Sequence, residues 1–150
     1  MYQRIMVAID DSFANGNVLS TAIGMASQFG ARLAICHALD ETIFAQRMGE
    51  IMLSSSVGQV EKNLCSGAQA FLDQAADMAR AAGLEVETRL VESEVKQVAE
   101  MVAEAASTWQ ADLLVVGSHG QRGIERFFVG SVAERLVQKA STSLLLVRSA

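Results

Sequence analysis

The feature that most constrains this chain is a regular alternation of short β-rich runs with longer segments of helical spacing. The β-rich runs cover residues 4–9, 32–38, 85–91, 112–116 and 143–147. Between them, apolar residues recur at helical spacing around residues 18–29, 64–82, 95–109 and 131–140. Gly30 and Gly83 follow the first two of these segments, which is typical of helix ends. Strands that alternate with helices form βαβ units, and such units require a parallel sheet with helices packed on its faces.

The number and order of these runs predict the fold class. Right-handed crossovers leave few arrangements for five parallel strands. We predict an α/β fold with a single doubly wound open sheet of the flavodoxin or Rossmann-like type, helices on both faces and strand order 3-2-1-4-5. Residues 85–91 alternate most strongly between apolar and polar types, as a strand nearer the sheet edge does. Residues 40–59 form an irregular stretch.

Composition excludes several classes of protein. A chain of 150 residues is expected to form one domain, 1–150, because two domains of half this size would bury little core. Hydrophobic residues make up 51% and charged residues 19%, which excludes intrinsic disorder. The net charge of −5 argues against binding to nucleic acid or to an anionic membrane. Cys36 and Cys65 form no C-x-x-C pair, so neither a disulfide scaffold nor a structural zinc site is expected.

The sequence also bears on where the protein works. The first ten residues become acidic too early for a signal peptide. No apolar run approaches the length of a membrane span. We therefore expect a soluble cytoplasmic protein.

Glycines cluster where the fourth strand is predicted to end and the next helix to begin. Gly117 and Gly120 lie three positions apart after the strand, and Gly130 directly precedes Ser131 at the helix start. Glycine lets backbone N–H groups approach a ligand closely. A helix N-terminus adds unpaired N–H donors and the positive end of the helix dipole. The segment is therefore a candidate phosphate site.

The predicted strand order places an acidic residue beside this segment. In an open α/β sheet, ligands bind beyond the carboxyl ends of the strands, where the strand order reverses. If the first and fourth strands are neighbours, Asp10 and Gly117 flank that point. Asp10 would then hydrogen-bond a ribose or an amine while the glycines bind phosphates.

Other phosphate-binding motifs are missing. The P-loop pattern G-x-x-x-x-G-K-[ST] does not occur, and the first βα turn, residues 10–16, lacks G-x-G-x-x-G. Asp10-Asp11 is similar to the paired acids of phosphorylation receiver domains. However, the third strand ends in Val91-Glu92 without an aspartate to accept phosphate, and Arg148 rather than a lysine follows the last strand. We discount the receiver class on these grounds.

The glycine spacing identifies a family. Gly117-x-x-Gly120 is followed by nine residues, 121–129, and then by Gly130-Ser131. This pattern resembles the ATP-binding branch of the universal stress protein family, which is marked by G-x-x-G, nine residues and G-[ST]. The similarity extends over essentially the whole chain, including the first strand leading into Asp10-x-Ser12. The chain departs from the family at Ala8, where relatives often have proline.

The resemblance implies a set of nucleotide contacts. The phosphates and ribose would be bound by Gly117, Gly120, Gly130, Ser131 and Val132. Ala8 and Asp10 would line the adenosine, and the second strand around Cys36 would contact the base. ATP would bring Mg²⁺ or Mn²⁺, held mainly by its own phosphates. The family resemblance further implies a homodimer joined through the last strand, Ser143–Val147, whose apolar edge also favours pairing with another chain.

Several of these residues have a purely structural alternative. Ser131-Val132-Ala133-Glu134 is a capping box, so Ser131 would cap its helix instead of binding phosphate. His119 would be a solvated loop residue, although its place beside the glycines permits a phosphate contact when it is charged. Arg122 would be a surface charge, yet a polyphosphate bound to an acidic protein needs a nearby cation. His37 is typical of a satisfied core histidine, and Cys36 of a buried strand residue.

Three functions follow from these observations. The first is an ATP-binding regulator that is not an enzyme and hydrolyses ATP slowly at most, because the sequence offers no nucleophile with a positioned base and no metal-ligand cluster. The second is a nucleotide-free dimeric interaction or chaperone-like stress protein, which some family members without the glycine motif are. The third is an adenylating enzyme of a related fold. It would need a phosphate loop after the first strand, and residues 10–16 do not fit one.

Overall fold

The computed structural model describes residues 1–10, 17–40, 57–93, 96–118 and 131–148. Its strands are β1 (Arg4–Ala8), β2 (Arg32–Asp40), β3 (Val86–Ser93), β4 (Leu113–Gly117) and β5 (Ser143–Val147). Its helices, within these described ranges, are α1 (Val18–Phe29), α2 (Val57–Ala81), α3 (Val98–Trp109) and α4 (Ser131–Lys139). Strand β2 therefore ends, and helix α2 begins, inside the stretch 40–59 predicted to be irregular, and residues 41–56 of that stretch lie outside the described residues.

The five strands form one sheet in the order β3-β2-β1-β4-β5, and each pair is parallel. This confirms the predicted order and the predicted edge position of β3. Strand β1 lies at the centre, where Val7 is level with Ile35 of β2 and with Val115 of β4. The chain reverses its direction of travel across the sheet beside β1, as the sequence pattern predicts.

The helices cover the two faces of the sheet in separate pairs. Side chains alternate between the faces along a strand, so Ile5 and Val7 pack with buried residues of α1 and α2. Met6, between them, packs on the other face with buried residues of α3 and α4, such as Val102 and Leu136. The strands at the centre are apolar on both faces because both faces are covered.

Two helix ends confirm predictions made from glycine, and one does not involve glycine. Gly30 and Gly83 adopt positive φ angles of 63° and 82°, and the N–H of Gly30 bonds back to α1. Gln110 ends α3 in the same left-handed conformation, with a φ angle of 62°. The sequence contains no signal for this end because glutamine seldom adopts that conformation.

A group of polar contacts joins β1, α3 and β4 at the amino edge of the sheet. The Asp112 carboxylate accepts hydrogen bonds from the backbone N–H groups of Gln3 and Arg4, at 2.9 and 3.0 Å. The Arg4 guanidinium donates to the Trp109 carbonyl at 3.0 and 2.7 Å and lies 4.1 Å from the centre of the indole ring. The Trp109 indole N–H donates to Glu87 of β3. These contacts fix the end of α3 against three strands.

We expect Asp112→Ala to lower the free energy of unfolding by about 1–2 kcal/mol, because the Arg4 N–H is part-buried and loses a charged acceptor. Urea unfolding would measure the change. The matched control is Asp77→Ala, which removes an exposed carboxylate 3.6 Å from Arg80. The control should change stability by less than about 0.5 kcal/mol. Equal effects of the two substitutions would contradict a structural role for Asp112.

Candidate functional site

Strands β1 and β4 stop pairing near the carboxyl edge of the sheet. Their described register pairs end at Val7 and Val115. Beyond that level, the N–H of Ile9 donates to the Cys36 carbonyl of β2 at 2.9 Å. The N–H of Ser118 donates to the Val147 carbonyl of β5, also at 2.9 Å. Beyond their last shared pair, β1 thus remains bonded to β2, and β4 remains bonded to β5. The strand order reverses at this point, which is where open α/β sheets bind ligands.

The register brings together two of the residues predicted to form the site. Ile9 lies two residues beyond Val7, and Gly117 lies two residues beyond Val115, so both follow the last register pair of the two strands. Asp10 follows Ile9 and is partly buried. Gly117 is the last residue of β4 and is level with Val147. The structure therefore places Asp10 and Gly117 at the same edge, on the two strands that diverge.

Helix α4 begins at this same edge. Strand β4 runs toward the carboxyl edge and α4 returns from it, so Ser131 is the first helical residue on that side. Ala133 and Leu136 are buried against the sheet, and the Val132 side chain is 38% exposed. The first N–H groups of a helix lack intrahelical acceptors, and the helix dipole is positive there. The start of α4 therefore favours an anion at this edge.

Four predicted site residues lie outside the described residues: His119, Gly120, Arg122 and Gly130. The side chain of Ser131 is likewise not described, so its capping box stays a prediction. The phosphate contacts implied for this segment also remain predictions.

Ala8 and Cys36 are neighbours in the β1–β2 pair, but their surroundings differ. Ala8 is partly buried, whereas Cys36 is completely buried in the core between the sheet and helices α3 and α4. This burial raises the pKa of the Cys36 thiol to about 12, and the positive charge of Arg89 offsets only part of the increase. The thiol therefore points into packed side chains, and its predicted contact with a base remains untested.

Ala38 is the residue of β2 that sequence analysis overlooked at this edge. It lies two residues beyond Cys36 on the same face of the sheet and is only partly buried. Together with Ala8 it forms a small apolar surface at the carboxyl ends of β1 and β2. The signal for Ala38 is the two-residue period of β2, counted to the strand end at Asp40.

His37 confirms the prediction of a satisfied core histidine. Its side chain is 9% exposed, and Nδ1 lies 2.9 Å from the Ile9 carbonyl oxygen. The carbonyl oxygen can only accept a hydrogen bond, so Nδ1 carries a hydrogen and is the donor in this contact. His37 therefore binds the backbone immediately before Asp10.

The described residues offer no resident metal site. Within their ranges, no group of three or more His, Cys, Asp or Glu side chains is arranged to hold a metal ion. None of the described helices is long and apolar enough to cross a membrane.

Comparisons with known proteins agree on one family. The model of the Universal stress protein family matches residues 1–148. A universal stress protein of Methanocaldococcus jannaschii is 28% identical over 148 residues, which cover 99% of this chain and 83% of the relative.

Solved structures extend the comparison to the fold. A universal stress protein in complex with cAMP superposes with a TM-score of 0.70 at 26% identity, covering 99% of this chain and 98% of that one. A member of the same family from Burkholderia pseudomallei superposes with a TM-score of 0.74 at 28% identity, covering 97% and 96% of the two chains. The five-stranded sheet of this chain is the fold that these structures share.

The burial of Cys36 predicts a thiol that is inert in the folded protein. In a Cys65→Ser background at pH 8, a chromogenic disulfide reagent should react with Cys36 only after urea unfolds the chain, because the folded thiol is protonated and enclosed. The control adds Ser107→Cys to a Cys36→Ser/Cys65→Ser chain, since residue 107 is exposed on α3. Comparable rates for the two folded proteins would show that Cys36 is accessible.

Proposed function

Because the chain belongs to the universal stress protein family, we propose that it binds an adenine nucleotide at the carboxyl edge between β1 and β4. ATP is the proposed ligand, and the protein acts in the cytoplasm as a nucleotide-responsive regulator. One observation carries the proposal. Strands β1 and β4 stop pairing at Val7 and Val115, and each then bonds to its outer neighbour. A ligand at this point contacts the ends of two strands and the start of a helix.

The proposed site has one group of residues for the adenosine and another for the phosphates. Ala8 and Ala38 supply a small apolar surface for the adenosine, and Asp10 supplies a carboxylate that accepts hydrogen bonds from ribose hydroxyls. Cys36 remains a proposed base contact, made by the β2 strand rather than by its buried thiol. The phosphate contacts proposed from the glycine motif are Gly117, His119, Gly120, Arg122, Gly130, Ser131 and Val132.

The phosphate end of the site relies on backbone groups. N–H donors at the start of α4 and in a glycine segment suit a polyphosphate even in a chain with a net charge of −5. Mg²⁺ or Mn²⁺ would be held through the nucleotide phosphates. The structure solved with cAMP, 26% identical to this chain, supports an adenine nucleotide as the ligand class. We propose ATP over a cyclic nucleotide because the glycine spacing provides for several phosphates.

A regulatory role fits the site better than catalysis. Two described residues near the carboxyl edge are unsuited to catalysis: Cys36 is a buried thiol, and His37 is directed at a backbone carbonyl. Any ATP hydrolysis should therefore be slow. The competing function is a dimeric interaction or chaperone-like protein without nucleotide.

We further propose a homodimer joined through β5, because the two edge strands of the sheet, β3 and β5, differ in chemistry. The edge strand β3 carries Glu87 and Arg89, and charged side chains discourage pairing with another strand. The opposite edge strand, β5, has the sequence SLLLV, and its leucines are only partly buried. An apolar edge strand without charges favours pairing with a second copy.

The nucleotide proposal predicts that purified protein binds ATP–Mg²⁺ with a Kd in the micromolar range by calorimetry. Gly117→Val and Gly130→Val should each weaken binding by more than about tenfold, because a branched side chain keeps a phosphate away from the backbone. Gly24→Val is the matched control, since a Cβ at that exposed helix position meets nothing within 4 Å. Circular dichroism would verify that all variants are folded.

Two results would contradict the nucleotide proposal. One is the absence of both co-purified nucleotide in an acid extract and binding heat from the unsubstituted protein. The other is binding that is unchanged in both glycine variants. The first result would favour the nucleotide-free interaction protein, and the second would reject the proposed phosphate contacts of Gly117 and Gly130.

The dimer proposal predicts that Leu145→Lys shifts the protein to a monomer, because it places a charge on the strand that would pair. Multi-angle light scattering would measure the mass. Thr88→Lys, on the opposite edge strand β3, is the control and should leave the dimer intact. A dimer that persists with Leu145→Lys would exclude this interface.

A further inference from the structure

One buried polar side chain interrupts the apolar face of β2. Leu33 and Ile35 are fully buried against α1 and α2, and the two-residue period places His37 next on that face. An apolar residue would continue the pattern with less desolvation. The histidine instead donates from Nδ1 to the Ile9 carbonyl at 2.9 Å. The hydrogen bond to Ile9 is therefore the contact that distinguishes a histidine from an apolar residue at this position.

His37 completes a pair of hydrogen bonds on a single residue of the neighbouring chain. The N–H of Ile9 donates to the Cys36 carbonyl at 2.9 Å, and its own carbonyl accepts from His37. Consecutive residues of β2 therefore hold both polar groups of Ile9. The Ile9 side chain is also buried, with 7% exposure. Ile9, which directly precedes Asp10, is thus anchored through both its backbone groups and its side chain.

The imidazole is itself held in place from a third element. The ring of Phe71, on α2, meets the His37 ring edge to face, with centroids 5.8 Å apart and an interplanar angle of 86°. Phe71 packs against the same core as Ile9. The direction of the Nδ1–H group is therefore set by β2 and α2 together.

These contacts matter because pairing with β4 has already ended at this level. After Val7, β1 is no longer level with a described partner in β4, so its path into Asp10 depends on β2. We propose that His37 is a positioning residue for the nucleotide: through the Ile9 carbonyl it sets the backbone that presents Asp10 at the carboxyl edge. This inference rests on the proposed nucleotide site. A displacement of about 1 Å in a positioned group is sufficient to weaken binding strongly.

The test compares three substitutions that separate the hydrogen bond from the volume of the ring. His37→Asn keeps a donor at the position of Nδ1, His37→Gln moves the donor one bond further out, and His37→Phe removes it while retaining a ring. ATP–Mg²⁺ affinity would be measured by calorimetry, and stability by urea unfolding. Ile35→Val is the control, because it loosens the same face of β2 without touching the Ile9 carbonyl.

We expect His37→Phe and His37→Gln to raise the Kd for ATP about tenfold or more, a change equivalent to one hydrogen bond. The Kd of His37→Asn should stay within about threefold of the original. Ile35→Val should lower the urea midpoint and leave the Kd unchanged. If His37→Phe does not fold, the difference between the Asn and Gln variants decides the question.

Two outcomes would overturn the inference while leaving the nucleotide site intact. One is an unchanged Kd in His37→Phe or His37→Gln, with only the urea midpoint lowered, which would make His37 a structural residue alone. The other is an equal loss of affinity in His37→Asn and His37→Gln. Failure of the unsubstituted protein to bind ATP would instead reject the proposed function and the inference with it.

Discussion

The central position of β1 is the constraint on which the rest of the structure depends. A parallel strand paired on both sides must be apolar on both faces, and Ile5, Met6 and Val7 are all fully buried. The chain must then leave β1 toward β2 and return later to β4 on the other side. This return places α1 and α2 on one face and α3 and α4 on the other. It also creates the single reversal of strand order.

The amino and carboxyl edges of the sheet make different contacts between β1 and β4. At the amino edge, Arg4 and Asp112 join the beginnings of β1 and β4, so the strands start in register and close together. At the carboxyl edge, β1 remains bonded to β2 through the Ile9 N–H, and β4 remains bonded to β5 through the Ser118 N–H. Contacts that stabilise the fold thus lie opposite the point proposed for binding.

Two consecutive residues of β2 show how much depends on the face of a strand. Cys36 points into the core under α3 and α4, where burial suppresses its ionisation. His37 points to the opposite face and binds the backbone that leads into Asp10. The two faces of β2 therefore hold an inert thiol and an imidazole with a defined hydrogen-bond partner.

Local periodicity was sufficient to predict the strands, their order and the glycine-terminated helix ends, because each depends on residues close in sequence and on the handedness of crossovers. Gln110 in a left-handed conformation and the bond between Arg4 and Asp112, 108 positions apart, could not be predicted in this way. Such contacts depend on which elements become neighbours after folding. The same limit applies at β2, where the family resemblance implied Cys36 and the tertiary structure buries its thiol and leaves Ala38 partly buried at the strand end. A side chain's exposure is decided by the elements packed over it.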